Sequence, residues 1–279
     1  MLTKSTLALG FFAAALCACM DLPESAAPPS SGGAAAIMRL PFQPLDPGAY
    51  EQVSLHFKVA AYGTDNAHQI SNQAEGFYTG IMTDTNLFSF MPSGLYEIVV
   101  YASHDEYVRK TGQPDWSGGV TYGNAICSYN GPQLLQTIAH EMTHLIFNEY
   151  LGRPRRDLLW VNEGLAVYEQ AKAASGTRVP GELFGSIHQQ MRSQPLTLDD
   201  ILGFVPLGER TDADQRVSLW YAQSESMVQF MIERGGRIGF SQFLPALRDG
   251  KSFDESIRSA YIGVWGDLVG FYSAWQASP

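Results

Sequence analysis

Residues 140–144 read His-Glu-Met-Thr-His, inside a stretch where Leu134, Leu135, Ile138, Met142, Leu145 and Ile146 recur at helical spacing. This pentapeptide constrains the chain more than any other feature. On an α-helix, residues four apart share a face, so His140 and His144 can both reach one ion. Zinc takes imidazole nitrogen at about 2.0–2.1 Å, and two histidines so spaced meet that demand. Glu141 can then face an open coordination position and take a proton from the water held there. Taken alone, the pentapeptide is also compatible with a helix bearing two incidental histidines.

A catalytic zinc needs a third protein ligand and an open position. Glu163 follows His144 within Trp160-Val161-Asn162-Glu163-Gly164-Leu165-Ala166-Val167-Tyr168. Between them, Gly152-Arg153-Pro154-Arg155-Arg156 cannot continue the first helix. Two antiparallel helices joined by that loop would return Glu163 toward His140 and His144.

Together, His140-Glu141-Met142-Thr143-His144 and Trp160-Val161-Asn162-Glu163-Gly164-Leu165-Ala166 resemble the zinc signature of the gluzincin metallopeptidases, in particular the peptidase-MA-like group. The resemblance is specific over residues 133–170 and diffuse over about 90–275. It implies that His140, His144 and Glu163 are zinc ligands and that Glu141 is general base and acid. It also implies an oxyanion donor well beyond the third ligand. Tyr221, in Leu219-Trp220-Tyr221-Ala222-Gln223-Ser224, resembles the family's tyrosine in kind and place, and a packing role suits it equally. Tyr168 and His188 are weaker candidates. The aminopeptidase branch has an upstream Gly-x-Met-Glu-Asn element whose glutamate holds the substrate amine. The corresponding Gly118–Asn124 here has no acidic residue. The position four after Glu163, acidic in the thermolysin-like branch, is Val167, so the group that orients a histidine ligand must come from elsewhere.

The N-terminus reads as an export leader. Lys4 precedes the apolar run Leu7–Leu16, too short to span a bilayer. Leu16-Cys17-Ala18-Cys19 resembles the bacterial lipobox, which implies cleavage before Cys19, lipidation of its sulfur and a membrane anchor in the cell envelope. An ordinary secretory signal with incidental cysteines is the other reading. Cys127 is then left without an intramolecular partner and is expected to be a small buried hydrophobe.

A net charge of −10 argues against a nucleic-acid partner and against a polybasic membrane patch. Residues 20–36 are Pro-, Ser-, Gly- and Ala-rich, a linker composition.

The expected fold is α+β. A signal (1–18) and a lipidated Cys19 with its linker (19–36) precede a β-rich subdomain (37–132) and a mainly helical, zinc-binding catalytic subdomain (133–279). Strands are expected over 53–59, 95–101 and from 118, the last an edge strand at the cleft on which an extended peptide could lie. Ser103–Thr111 is expected to be a short helix capped by Ser103 and stopped at Gly112. Further helices are expected over 160–174, 182–192, 218–234, 239–247, 253–261 and 267–276. His56, His68 and His104 lack ligand spacing and are expected to be structural. Trp265, Tyr272 and Trp275 are expected to be packing anchors. The function expected is hydrolysis of a peptide or protein by zinc-activated water. The alternative is a non-catalytic lipoprotein that keeps the gluzincin fold as a binding or scaffold module.

Overall fold

The computed structural model describes residues 41–152, 155–175, 186–203 and 214–278. The leader, Cys19 and the linker lie outside the described residues. The fold is α+β, a five-stranded mixed sheet followed by a mostly helical region.

Strands β1 (Ala49–Val53), β2 (Phe57–Tyr62), β3 (Tyr96–Tyr101), β4 (Gly119–Tyr122) and β5 (Ala125–Tyr129) are arranged in the order β1-β2-β3-β5-β4. The inner three run parallel; β1 and β4 are antiparallel edges. Helix α1 (Thr64–Thr85) makes the crossover from β2 to β3. Side chains alternate across the sheet. Phe57, Val59, Ile98, Val100 and Ile126 join one core with the large helices, while Tyr101, Val120 and Cys127 face the other side with Tyr107 of α2 (His104–Thr111). Ser103 caps α2 by accepting the Glu106 N–H, and Gly112 closes it in the left-handed conformation, both as expected.

Two expectations in the β-rich segment need correction. The alternation over 53–59 is not one strand. It crosses a turn at Ser54–His56, where Glu75 of α1 accepts the His56 backbone N–H at 2.8 Å and the Ser54 N–H reaches the Phe57 carbonyl at 2.8 Å. Leu55, in this turn, is 78% exposed. The segment also holds a helix of 22 residues rather than short helices alone. Its buried face is Ala67, Ile70, Ser71, Ala74, Tyr78 and Ile81, so small and polar residues mute the apolar period.

The helical region contains α3 (Leu134–Leu151), a short 3-10 turn (Arg156–Leu158), α4 (Leu159–Ser175), α5 (Ser186–Ser193), α6 (Leu198–Gly203), α7 (Asp214–Arg234), α8 (Gly236–Arg248), α9 (Phe253–Ala260) and α10 (Leu268–Gln276). The expectation for 182–192 falls partly outside the described residues, and α6 was not anticipated. Helix α3 is buried almost all round and ends at Gly152, φ 72°. Trp265 packs on Tyr261 and Phe271, and Tyr272 on Trp275, the anchoring roles expected. One continuous core includes sheet residues and residues from every helix of the C-terminal half. No helix among the described residues is long and apolar enough to cross a membrane.

Candidate metal centre and cleft

Helices α3 and α4 are antiparallel neighbours, as their cross-contacts show: His144 meets Asn162, while His140, one turn earlier, meets Gln170, two turns later. This course brings His140, His144 and Glu163 together. One ligand atom from each lies within 4.8 Å of the others, and all three residues are buried. The Nε2 atoms are 3.1 Å apart, and Glu163 Oε2 lies 3.7 Å from His140 Nε2 and 3.5 Å from His144 Nε2. Donors about 2.0–2.1 Å from a shared tetrahedral ion stand about 3.3 Å apart, so this triangle has the size such an ion needs. Glu163 Oε2 is buried and receives no hydrogen bond. A bare carboxylate oxygen in that position is costly unless a cation meets it. The residues therefore fit one metal ion.

The two ring orientations are fixed from behind. His140 Nδ1–H donates to Gln170 Oε1 at 3.0 Å, and His144 Nδ1–H donates to Asn162 Oδ1 at 2.9 Å. Each amide oxygen can only accept, so both Nδ1 atoms carry a proton and both Nε2 atoms face Glu163. Asn162 is itself held by Nδ2–H donation to Asn148 Oδ1 at 3.4 Å. The sequence reading left these orienting groups open, since Val167 is apolar. The signal was present: Gln170 is seven residues after Glu163 and shares its helix face, and Asn162 is its neighbour.

Burial, then the neighbouring His144, push His140 well below the usual imidazole range, with Gln170 opposing. For His144, burial again disfavours charge, but Glu163, aided by Glu141 and Asn162, outweighs it and holds the ring up at about 9. The carboxylate thus stabilises positive charge on the His144 ring.

Glu141 is fully buried beside this group and against edge strand β4. A Cβ added at Gly119 would stand 3.5 Å from Glu141 Cγ and 2.6 Å from Thr137 Cγ2, so only glycine lets β4 run this close to α3. The edge strand expected at the cleft is therefore present and adjoins Glu141.

Tyr221 is buried on α7, its ring set edge-on to Trp220 at 5.2 Å. Helix α7 touches α4 where Gly164, next to Glu163, meets the Ser224 carbonyl. Tyr221 is one turn before that contact, about 4.5 Å of helix rise. Tyr168 is buried on α4 with Lys172 Nζ 5.8 Å from its ring centre, and the His188 side chain lies outside those described. The remaining histidines are structural in their contacts. His56 pairs with Glu75 at 2.7 Å and stacks on Tyr78, His104 meets the Asp115 carbonyl at 2.8 Å, and His68 lies against Tyr50. Cys127 is buried, and burial pushes its thiol up to about 12.

A helix-borne His-Glu-x-x-His pair completed by a carboxylate from the next helix, beneath a sheet edge, defines a metallopeptidase-like fold. A family model of the Peptidase MA superfamily matches residues 96–278, and the chain belongs to that superfamily. A search of curated proteins found no match to the chain.

Proposed function

We propose that the protein is a zinc-dependent peptidase of gluzincin type, with His140, His144 and Glu163 holding the ion. The convergence of three buried donor atoms at ligand-to-ligand spacing carries this reading. When bound, the zinc supplies Lewis acidity and lowers the pKa of water. Glu141 accepts the proton of the attacking water and returns it to the departing amine nitrogen. An extended peptide adds to β4, whose outer edge pairs with no further strand among the described residues. The Tyr221 hydroxyl is assigned as donor to the oxyanion, and the closeness of α7 to Glu163 supports that role. The scaffold alternative is not favoured, because a non-catalytic site has no use for a glutamate at position 141.

The test is metal content and peptide-library cleavage of the purified domain. One zinc per chain with hydrolysis is expected, both lost in His144→Ala. Equal zinc in the two proteins would overturn the ligand assignment.

Cys19 is proposed as the lipidated mature N-terminus, anchoring the domain in the bacterial cell envelope. Leu16-Cys17-Ala18-Cys19 supports it. Mass spectrometry of the membrane fraction should show the acyl mass, and a soluble protein starting elsewhere would refute it.

A further inference from the structure

The two walls that meet at Glu141 continue past it. On α3, Glu141, Leu145, Asn148 and Glu149 fall at i, i+4, i+7 and i+8, one helix face. On β4, Gly119 and Thr121 point to the α3 side, the face shared with Ile126 opposite Thr121. Between the far ends of these walls lies a cavity of about 410 Å³, lined by Leu145, Asn148 and Glu149 from the helix and Thr121, Tyr122 and Asn124 from the hairpin. Glu149 lies about 12 Å along α3 from Glu141. Tyr122 lies about 10 Å along β4 from Gly119. An extended peptide on β4 advances about 3.3 Å per residue, so its third residue from the bond at Glu141 is level with this cavity.

The cavity has a charge. Glu149 Oε1 accepts the Ser93 N–H at 2.6 Å, and Oε2 accepts the Tyr96 hydroxyl at 2.5 Å. Both donors are neutral. Among the described residues no lysine, arginine or histidine pairs with Glu149, whereas Glu75, Asp84, Glu106 and Glu169 each have such a partner. The two hydrogen bonds fix the carboxylate and leave lone pairs on both oxygens. Asn124 Nδ2–H donates to the Leu95 carbonyl at 2.8 Å, which holds the hairpin tip over the cavity.

We infer that this cavity is a specificity subsite for a lysine or arginine side chain of the substrate, about three residues from the scissile bond, with Glu149 as the selecting group. The inference rests on the peptidase reading of Glu141 and β4. The protein's net charge of −10 acts in the same direction, favouring encounter with basic peptides.

The experiment scans lysine against norleucine along a fixed-length peptide. Binding is read by fluorescence anisotropy on Glu141→Gln, so that no peptide is consumed, and on Glu141→Gln with Glu149→Gln. One position should favour lysine about tenfold, as expected for a hydrogen bond to a charged group, and Glu149→Gln should abolish the preference. Glutamine keeps one oxygen to accept the Ser93 N–H, and its Nε2–H can donate to the Tyr96 hydroxyl. Should that variant not fold, Thr121→Arg, on the opposite wall, must also remove the preference. In parallel, kcat/KM of the wild type on the same peptides should show the tenfold ratio. Lysine and norleucine peptides that bind alike at every position overturn the subsite, whatever the turnover. A lysine preference in binding that Glu149→Gln removes, without any cleavage by the wild type, upholds the subsite and refutes the peptidase reading.

Discussion

Gly164 is a position where packing and helix propensity oppose each other. It lies within α4 beside Glu163, and a Cβ there would stand 2.3 Å from the Ser224 carbonyl oxygen, 2.6 Å from its carbon and 2.9 Å from Val228 Cγ2. Ordinary contact begins near 3.4 Å, so Gly164→Ala must move α7 from α4 by roughly 1 Å against backbone. Overpacking of this kind costs about 1–3 kcal/mol, and the backbone partner places it in the upper half. Alanine returns about 0.8–1 kcal/mol of helix propensity. The net is a loss of about 1–2 kcal/mol, or ~2–8 °C in Tm for a domain of this size. Gly76 of α1 is the control: it is exposed and an added Cβ meets nothing within 4 Å. Gly76→Ala should gain about 0.5–1 kcal/mol. Thermal melts of the three proteins read both effects. If Gly164→Ala melts at or above the wild type, or moves with Gly76→Ala, the close α4–α7 contact is wrong.

Replacing Asn162 or Gln170 by leucine removes the acceptor behind His144 or His140, and zinc affinity should fall about 10–100-fold. Competition with a chromogenic chelator measures it, and unchanged affinity in both variants would show that these amides do not orient the rings. Glu169 is buried, which pushes its carboxyl up to about 8 against the pull of Lys172, with Asp84 adding repulsion. Lys172 of α4 bridges Glu169 and Asp84 of α1, and Arg237 of α8 also pairs with Asp84. From the ordinary value of 4.5 up to about 8 the folded chain then binds more protons than the unfolded one, so this group's share of stability falls as pH rises. The slope is at most about 1.4 kcal/mol per pH unit. Glu169→Gln should remove that slope in urea melts between pH 5 and 8; equal slopes in the two proteins would contradict the shift.

The helical half was legible because its signals are local. Leu134, Ile138, Met142, Leu145 and Ile146 are buried as their spacing predicts, with Leu135 half-buried, and Gly152, Gly112 and Ser103 end or start helices where their chemistry demands. The three donors of the candidate metal site come together for the same reason: helix spacing fixes two of them, and a forced turn returns the third. What stayed hidden depends on tertiary contacts. Helix α1 buries alanines, whose period is faint, and the turn at Ser54–His56 is held by Glu75 from a helix 19 residues on. The amides behind the histidines have a sequence spacing from Glu163, but it can be used only once the antiparallel course of α3 and α4 is known. Tyr221 shows the converse, a residue type and place without a geometry.

The central claim is that Glu141 works on water beside an ion held by His140, His144 and Glu163. Glu141→Gln keeps the side-chain size and leaves all three donors in place. Its amide cannot take the proton. Turnover of a library-derived peptide, measured at equal zinc occupancy, should fall ~10²–10⁴-fold, with Tyr221→Phe showing a smaller loss. A Glu141→Gln protein that holds its zinc and hydrolyses the peptide as fast as the wild type would contradict the account.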